Sequence, residues 1–277
     1  MNRATIRSAL TISLVPEGHG GPFVFCNDLE HGCARAAALG FDGVEIFPPS
    51  TGVLKIKVLR AVLKRYRLKL AAIGTGAGWL QQRWSLTSSD PATRAQAHDF
   101  IARIVALAAA FGAPAIIGSM QGRAEGAVTH PQALQWLAES LRELGSRAKA
   151  QGGSLLYEPL NRYETNLFNR AGDAATFLTR RKIPHVQILC DLFHMNLEEA
   201  SVPATLRTVA QHLGHVHFAD TNRRAMGFGH LDVPPIAEAL RDIRYAGYLS
   251  AEVLPLPNPE RAARQTMRAF RQFFNAG

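Results

Sequence analysis

The chain predicts an α/β protein built as a closed (β/α)8 barrel, and three observations carry that prediction. Short apolar strand-like runs alternate with amphipathic helical runs along the whole length, eight of each. Five of the apolar runs end on a polar group: Glu45 in GVEIF, Glu158 in LLYE, Asp191 in VQILCD, His217 in HVHF and Glu252 in LSAEV. The 277 residues suit one barrel of about 250 residues, so residues 1–277 are read as a single barrel domain. A doubly wound open sheet has no need of eight repeats.

Strands are expected near residues 5–12, 43–47, 69–74, 114–118, 153–158, 186–191, 215–218 and 248–253. Helices are expected near 28–39, 53–66, 91–111, 131–151, 171–181, 200–212, 234–244 and 259–274. The first run, ALTISLV after Arg3 and Arg7, is short, β-rich and without a clear small-residue cleavage site, so it is read as a strand and not as a signal peptide. Gly40-Phe41-Asp42-Gly43 closes the first helix and launches the second strand. Asp90 before Pro91 supplies an N-cap and a first-turn proline for the third helix, which runs to Phe111 and stops at Gly112. The fifth strand stops at Glu158 because a charge followed by Pro159 cannot continue a buried run. Gly247 precedes the eighth strand. No linker, low-complexity segment or charge block divides the chain.

Composition narrows the function classes. The net charge of +9 points to anionic partners. Most of the cations, however, lie scattered through the expected helices (Arg60, Lys64, Arg103, Arg142, Arg241, Arg264 among them), where a solvated outer face is the simpler reading. Cys26, Cys33 and Cys190 form neither a CxxC pair nor an even disulfide set, which fits a reducing cytoplasm. No stretch is long enough to cross a membrane. GSMQGRAEG, after the fourth strand, is at most a weak phosphate cradle.

In a (β/α)8 barrel the chemistry gathers at the C-terminal strand ends. Glu45, Glu158, Asp191, His217 and Glu252 are therefore expected at one mouth. Two glutamates, an aspartate and an imidazole in a dry site are costly unless something positive neutralises them. A divalent ion such as Mn2+, Co2+ or Mg2+ suits that donor set better than a thiolate-rich zinc site would. Such an ion polarises a carbonyl so that a neighbouring C–H proton becomes removable, and flanking carboxylates serve as bases. His215 is placed on the face opposite His217, with His217 inside. Asp191 is also a candidate N-cap for a helix beginning LFHMN, and His230 and Asp232 belong either to a loop near the mouth or to a turn held by Gly227 and Gly229.

The segments YEPLNRYETN, CDLFHMN, HVHFADTNR followed by GFGHLDVPPI, and SAEV resemble the sugar phosphate isomerase/epimerase superfamily of xylose isomerase-like TIM barrels. Within it, they are most similar to the ketose 3-epimerases of the D-tagatose and D-psicose (allulose) type. The resemblance is dense from Gly153 to Val253 and rests on strand order and GFDGVEIF before that. It implies Glu158, Asp191, His217 and Glu252 as ligands of one divalent ion, Mn2+ first, with Co2+, Mg2+ or Zn2+ as alternatives. It also implies Glu158 and Glu252 as the acid/base pair of C3 epimerisation through a cis-enediolate. His194, Arg223 and Glu164 would then bind substrate. Glu45, which the resemblance does not assign, is read either as a further substrate-site carboxylate or as half of a structural salt bridge. A carbohydrate or keto-acid substrate and a homo-oligomer, dimer or tetramer, are implied likewise. Asp220 stands where many epimerases have glutamate.

Rival readings fit less of the chain. A glycoside hydrolase would use the paired glutamates but leave Asp191 and His217 without work. A nuclease of the endonuclease IV type would need more strand-end histidines, whereas His19, His31, His98, His130 and His185 fall in helices or loops. Isomerases and dehydratases of the same superfamily, acting on aldoses, hydroxypyruvate or 2-oxo-tetronate, or inososes, share the first proton abstraction.

Overall fold

The structure, a computed structural model, describes residues 5–274. Eight parallel strands close into a barrel: β1 (Arg7–Ser13), β3 (Gly43–Phe47), β4 (Lys69–Gly74), β5 (Pro114–Ile117), β6 (Ser154–Tyr157), β7 (Val186–Asp191), β8 (Leu213–His217) and β9 (Tyr248–Ala251). The pairing of β1 with β9 closes the ring, Arg7 opposite Tyr248 and Leu10 opposite Ala251. A two-residue strand, β2 (Phe25–Cys26), adds alongside the end of β1.

The expected helices are all present as α1 (Leu29–Leu39), α2 (Ile56–Tyr66), α4 (Pro91–Ala109), α5 (His130–Ala150), α6 (Ala171–Arg180), α8 (Val202–Thr208), α9 (Val233–Asp242) and α10 (Pro259–Phe274). Of two short helices, α7 (Leu192–Glu198) is the one beginning LFHMN behind Asp191, and α3 (Ala77–Gln82) is additional. Local chemistry explains the boundaries. Asp90 accepts hydrogen bonds from the N–H groups of Ala92 and Thr93 at the start of α4, behind Pro91. Gly40 ends α1 at φ 87°, a left-handed conformation that glycine adopts without a Cβ clash.

The main core lies between the strands and the helices, where Ile12, Ile46, Ile104, Leu141, Leu155 and Phe270 pack with others at 0–2% exposure. Ala72, Ile116, Leu156 and Leu189 form a separate cluster made only of strand residues, the filling of the barrel itself. That layer matters for the site because polar residues share it. Glu45 is level with Thr11 and Ala72 on the neighbouring strands, and His215 is level with Leu189.

Candidate active site

Four side chains meet at the C-terminal mouth. Glu158 directly follows β6, Asp191 ends β7, His217 ends β8 and Glu252 directly follows β9. One donor atom from each lies within 4.8 Å of the others. His217 Nδ1 is 3.3 Å from Glu158 Oε1, 3.7 Å from Asp191 Oδ2 and 3.7 Å from Glu252 Oε2. Register sets this convergence, since Asp191 pairs with His217 across β7 and β8, and His217 pairs with Ser250 on β9.

Each donor is fixed from behind. Asp191 is the N-cap of α7: Oδ1 accepts the Phe193 N–H at 2.8 Å, which leaves Oδ2 for the cluster. Tyr157 donates to Gln121 Oε1 at 2.5 Å, and the Gln121 amide donates to the carbonyls of Glu158 and Gly118. That clamp sets the backbone at the end of β6. Gly118 faces Glu158 closely enough that an added Cβ would lie 2.6 Å from Glu158 Oε2, so the carboxylate depends on a glycine there.

Glu164 and Arg223 sit at the rim. Arg223 donates to Glu252 Oε2 at 2.7 Å and to Glu164 Oε1 at 3.4 Å, with its guanidinium 5.1 Å from the centre of the Phe193 ring. His194, on the first turn of α7, is 1% exposed. Its Nδ1 accepts from the Asn161 side-chain amide at 2.7 Å, because Asn161 Oδ1 is already taken by the Tyr163 N–H. His194 Nε2 has no partner and lies 3.6 Å from Asp191 Oδ2.

Charge in this space is unbalanced by geometry. Burial raises the Glu158 carboxyl to about 8 and raises Glu252 as well. Asp191 is also penalised by burial, but the positive charges of His217 and Arg223 oppose it, and the group is held at about 2. Burial lowers His194 and keeps it neutral. For His217 burial acts downward, yet Glu45 and Glu252 push it well above the ordinary histidine range. Glu158 Oε1, Asp191 Oδ2 and His217 Nδ1 are buried and without hydrogen-bond partners. Three orphaned donors aimed at one point fit a cation. Around a six-coordinate ion with bonds of about 2.1 Å, neighbouring donors stand roughly 3.0 Å apart and opposite ones about 4.2 Å. The spacings here fall in that range.

Glu158, Glu164, Arg223 and Glu252 line a cavity of about 290 Å3 whose far wall is apolar: Phe23, Phe47, Trp79 and Leu80. The sequence reading did not pick out these aromatics, because they come from the loop after β1, the end of β3 and the short helix α3, where no repeating pattern marks them.

Two expectations are corrected. Glu45 does not line the cavity. Strand β3 continues two residues past it, to Phe47, so Glu45 sits inside the barrel at 0% exposure beneath His217. His215 does not face away from His217. Two residues along a strand is a full side-chain period, so both imidazoles project into the barrel, 5.5 Å apart, and both bond to Glu45. Asp220 spends both carboxylate oxygens on backbone N–H groups of Thr221, Gly227, Gly229 and Leu231, shaping the loop that carries Arg223. His230 is exposed beside Thr221, and Asp232 precedes α9 without a side-chain cap. Arg123 donates to the Tyr163 carbonyl in the loop above the site.

Comparison with known proteins agrees with this geometry. Residues 33–273 match the model of the family described as xylose isomerase-like TIM barrel. The D-psicose 3-epimerase of Ruminiclostridium cellulolyticum is 31% identical over 232 residues, covering 81% of this chain and 78% of that one. The 3-dehydro-D-guloside 4-epimerase of Escherichia coli is 37% identical over 129 residues, which span 45% of this chain and 49% of that protein. The crystal structure of the E. coli 3-keto-D-glucoside 4-epimerase superposes with a TM-score of 0.80 at 25% identity, covering 96% of this chain and 99% of that one. With the buried acidic cluster at the strand ends, these matches identify the chain as a member of the xylose isomerase-like TIM barrel family and, within it, an enzyme of the isomerase and epimerase kind.

Proposed function

We propose that the chain is a ketose 3-epimerase that depends on one divalent ion, Mn2+ in the first instance, held by Glu158, Asp191, His217 and Glu252. One observation carries the reading. Glu158 and Glu252 belong to strands separated in the ring by β7 and β8, yet their carboxylates converge on the same imidazole nitrogen. They therefore approach a molecule in the cavity from two directions, as inversion at a carbon requires: one base removes a proton and a second acid returns one to the other face.

When bound, the ion would neutralise the carboxylates and polarise the substrate carbonyl, acidifying the adjacent C–H. The remaining steps belong to the side chains. The charge of an ion held there would favour the ionised form of both glutamates, so that either can act as a base. One takes the C3 proton, the enediolate spans C2 and C3, and the other protonates C3 from the opposite side. Arg223 stays charged beside Glu252 and stabilises the developing negative charge. His194, neutral and with Nε2 free, donates to a substrate oxygen, and Glu164 orients Arg223.

The named relatives support sugar epimerisation, and the D-psicose 3-epimerase supports C3 of a ketose. A second reading, epimerisation at C4 beside the C3 ketone of a glycoside, is favoured by the E. coli 4-epimerase matches and uses the same two glutamates. The test is turnover of a ketose panel and of 3-keto-glycosides by protein stripped with chelator and reloaded with Mn2+ or Co2+. Metal-dependent 3-epimer formation from a ketose supports the first reading. Turnover of the keto-glycosides alone replaces it with the second.

A further inference from the structure

Beneath the four donors lies a second cluster, Glu45 with His215 and His217, at 0–1% exposure. Glu45 Oε2 is 2.9 Å from His215 Nε2, and Glu45 Oε1 is 3.2 Å from His217 Nε2. Each carboxylate oxygen thus holds one imidazole. The two clusters share His217, but they differ in one respect that decides their roles. The upper one leaves Glu158 Oε1, Asp191 Oδ2 and His217 Nδ1 orphaned, whereas none of the bonded atoms in the lower one is orphaned. The lower group is complete without an ion.

We propose that Glu45 and His215 are positioning residues that dictate how His217 meets the metal: Glu45 takes the His217 Nε2–H, so that Nδ1 is the ligating nitrogen, and His215 occupies the other Glu45 oxygen and locks the carboxylate. This rests on the reading of the upper cluster as a metal site. Three features give it physical force. A carboxylate accepts but cannot donate when ionised, so its contact with His217 Nε2 requires the proton on that nitrogen. A metal-ligating histidine is tuned by the partner of its other nitrogen. A carboxylate in a barrel interior is free to rotate unless its second oxygen is also bound, and the His-x-His spacing on β8 supplies that second donor from one layer below. His215 in turn reaches the cavity of about 250 Å3 at the opposite end of the barrel, so the support for His217 runs down the barrel axis.

The test uses the full chain and two readouts. In Zn2+-loaded wild-type protein, long-range 1H–15N correlation should show His217 with a proton on Nε2 and Nδ1 at the metal. In parallel, Zn2+ affinity is measured by competition with a chelating dye. Glu45→Leu should weaken it by about 10–100-fold. Glu45→Gln should retain most of the affinity, because its carbonyl still accepts from His217 while its amide donates to an unprotonated His215 Nε2. A role confined to packing would not reproduce that rescue, since Leu fills the space as well as Gln does. Ligation through Nε2, or a folded Glu45→Leu chain with wild-type affinity, overturns the proposal and leaves the upper site standing. Two ions per chain overturn it too, by making the lower cluster a metal site. Wild-type protein that binds no divalent ion overturns this proposal and the metal reading together.

Discussion

Glu158 and Glu252 are held differently. Glu252 shares an oxygen with Arg223 at 2.7 Å, while Glu158 Oε1 faces only the imidazole of His217. Replacing either with glutamine keeps the volume and removes the base. The expected loss in kcat is about 10²–10⁴-fold for each variant, measured with far-UV circular dichroism to confirm the fold. Arg223→Ala should lower kcat/KM by about 10²–10³-fold by removing the charge that stabilises the transition state, and Arg223→Lys should recover only part, because an ammonium cannot bond Glu164 and Glu252 as a planar fork does. At this scale the sequence was legible wherever a polar residue ended an apolar run, as at Glu158, Asp191 and Glu252. It was misleading at Glu45, where two further apolar residues extend the strand and carry the carboxylate below the mouth. His215 shows the same limit, since its role depends on Glu45, 170 positions away in the chain.

Among the elements, the loop after β8 is organised by one side chain. Asp220 is 1% exposed and receives four backbone N–H groups. Burial works against its charge, but those donors hold its carboxyl below the usual range. Asp220→Asn turns an amide NH2 towards two of the donors, and the expected cost is about 1–3 kcal/mol in urea unfolding. The sign with pH follows from the lowered group. Its contribution is present above the ordinary aspartate value, near 3.8, and is lost as pH falls through the depressed folded value. The gap between wild type and Asp220→Asn should therefore hold near neutrality and narrow below about pH 4. The aspartate one methylene shorter than the glutamate of many epimerases thus has a use visible only in three dimensions. Helix α7 was legible only through its N-cap, Asp191 before LFHMN, and α3 not at all, because seven and six residues are too few for a helical period to emerge. Both matter to the site, as α3 brings Trp79 to the cavity and α7 brings His194 to Asp191.

Across the whole molecule, the eightfold alternation was readable because every strand is buried on both faces and every long helix on one. The scattered cations also read correctly as an outer face: Arg60, Lys64, Arg103, Arg142, Arg241 and Arg264 are all exposed. Among the described residues no helix is long and apolar enough to cross a membrane. Because the four donors come from β6, β7, β8 and β9, an ion would tie half the barrel together. Saturating ion at 100 times its Kd should stabilise the fold by about 2.7 kcal/mol, raising Tm by roughly 5–10 °C. Differential scanning calorimetry with chelator and with Mn2+ measures that shift.

The central claim is a metal-supported proton transfer at the carbon beside a sugar carbonyl, and solvent exchange reports it most directly. Mn2+-loaded protein is incubated with a ketose in D2O, and both epimers are recovered and analysed by NMR. The account predicts deuterium at C3 of the epimer formed, abolished by chelator and restored by Mn2+. Epimer formed without deuterium at C3, or exchange undiminished by chelator, would contradict it.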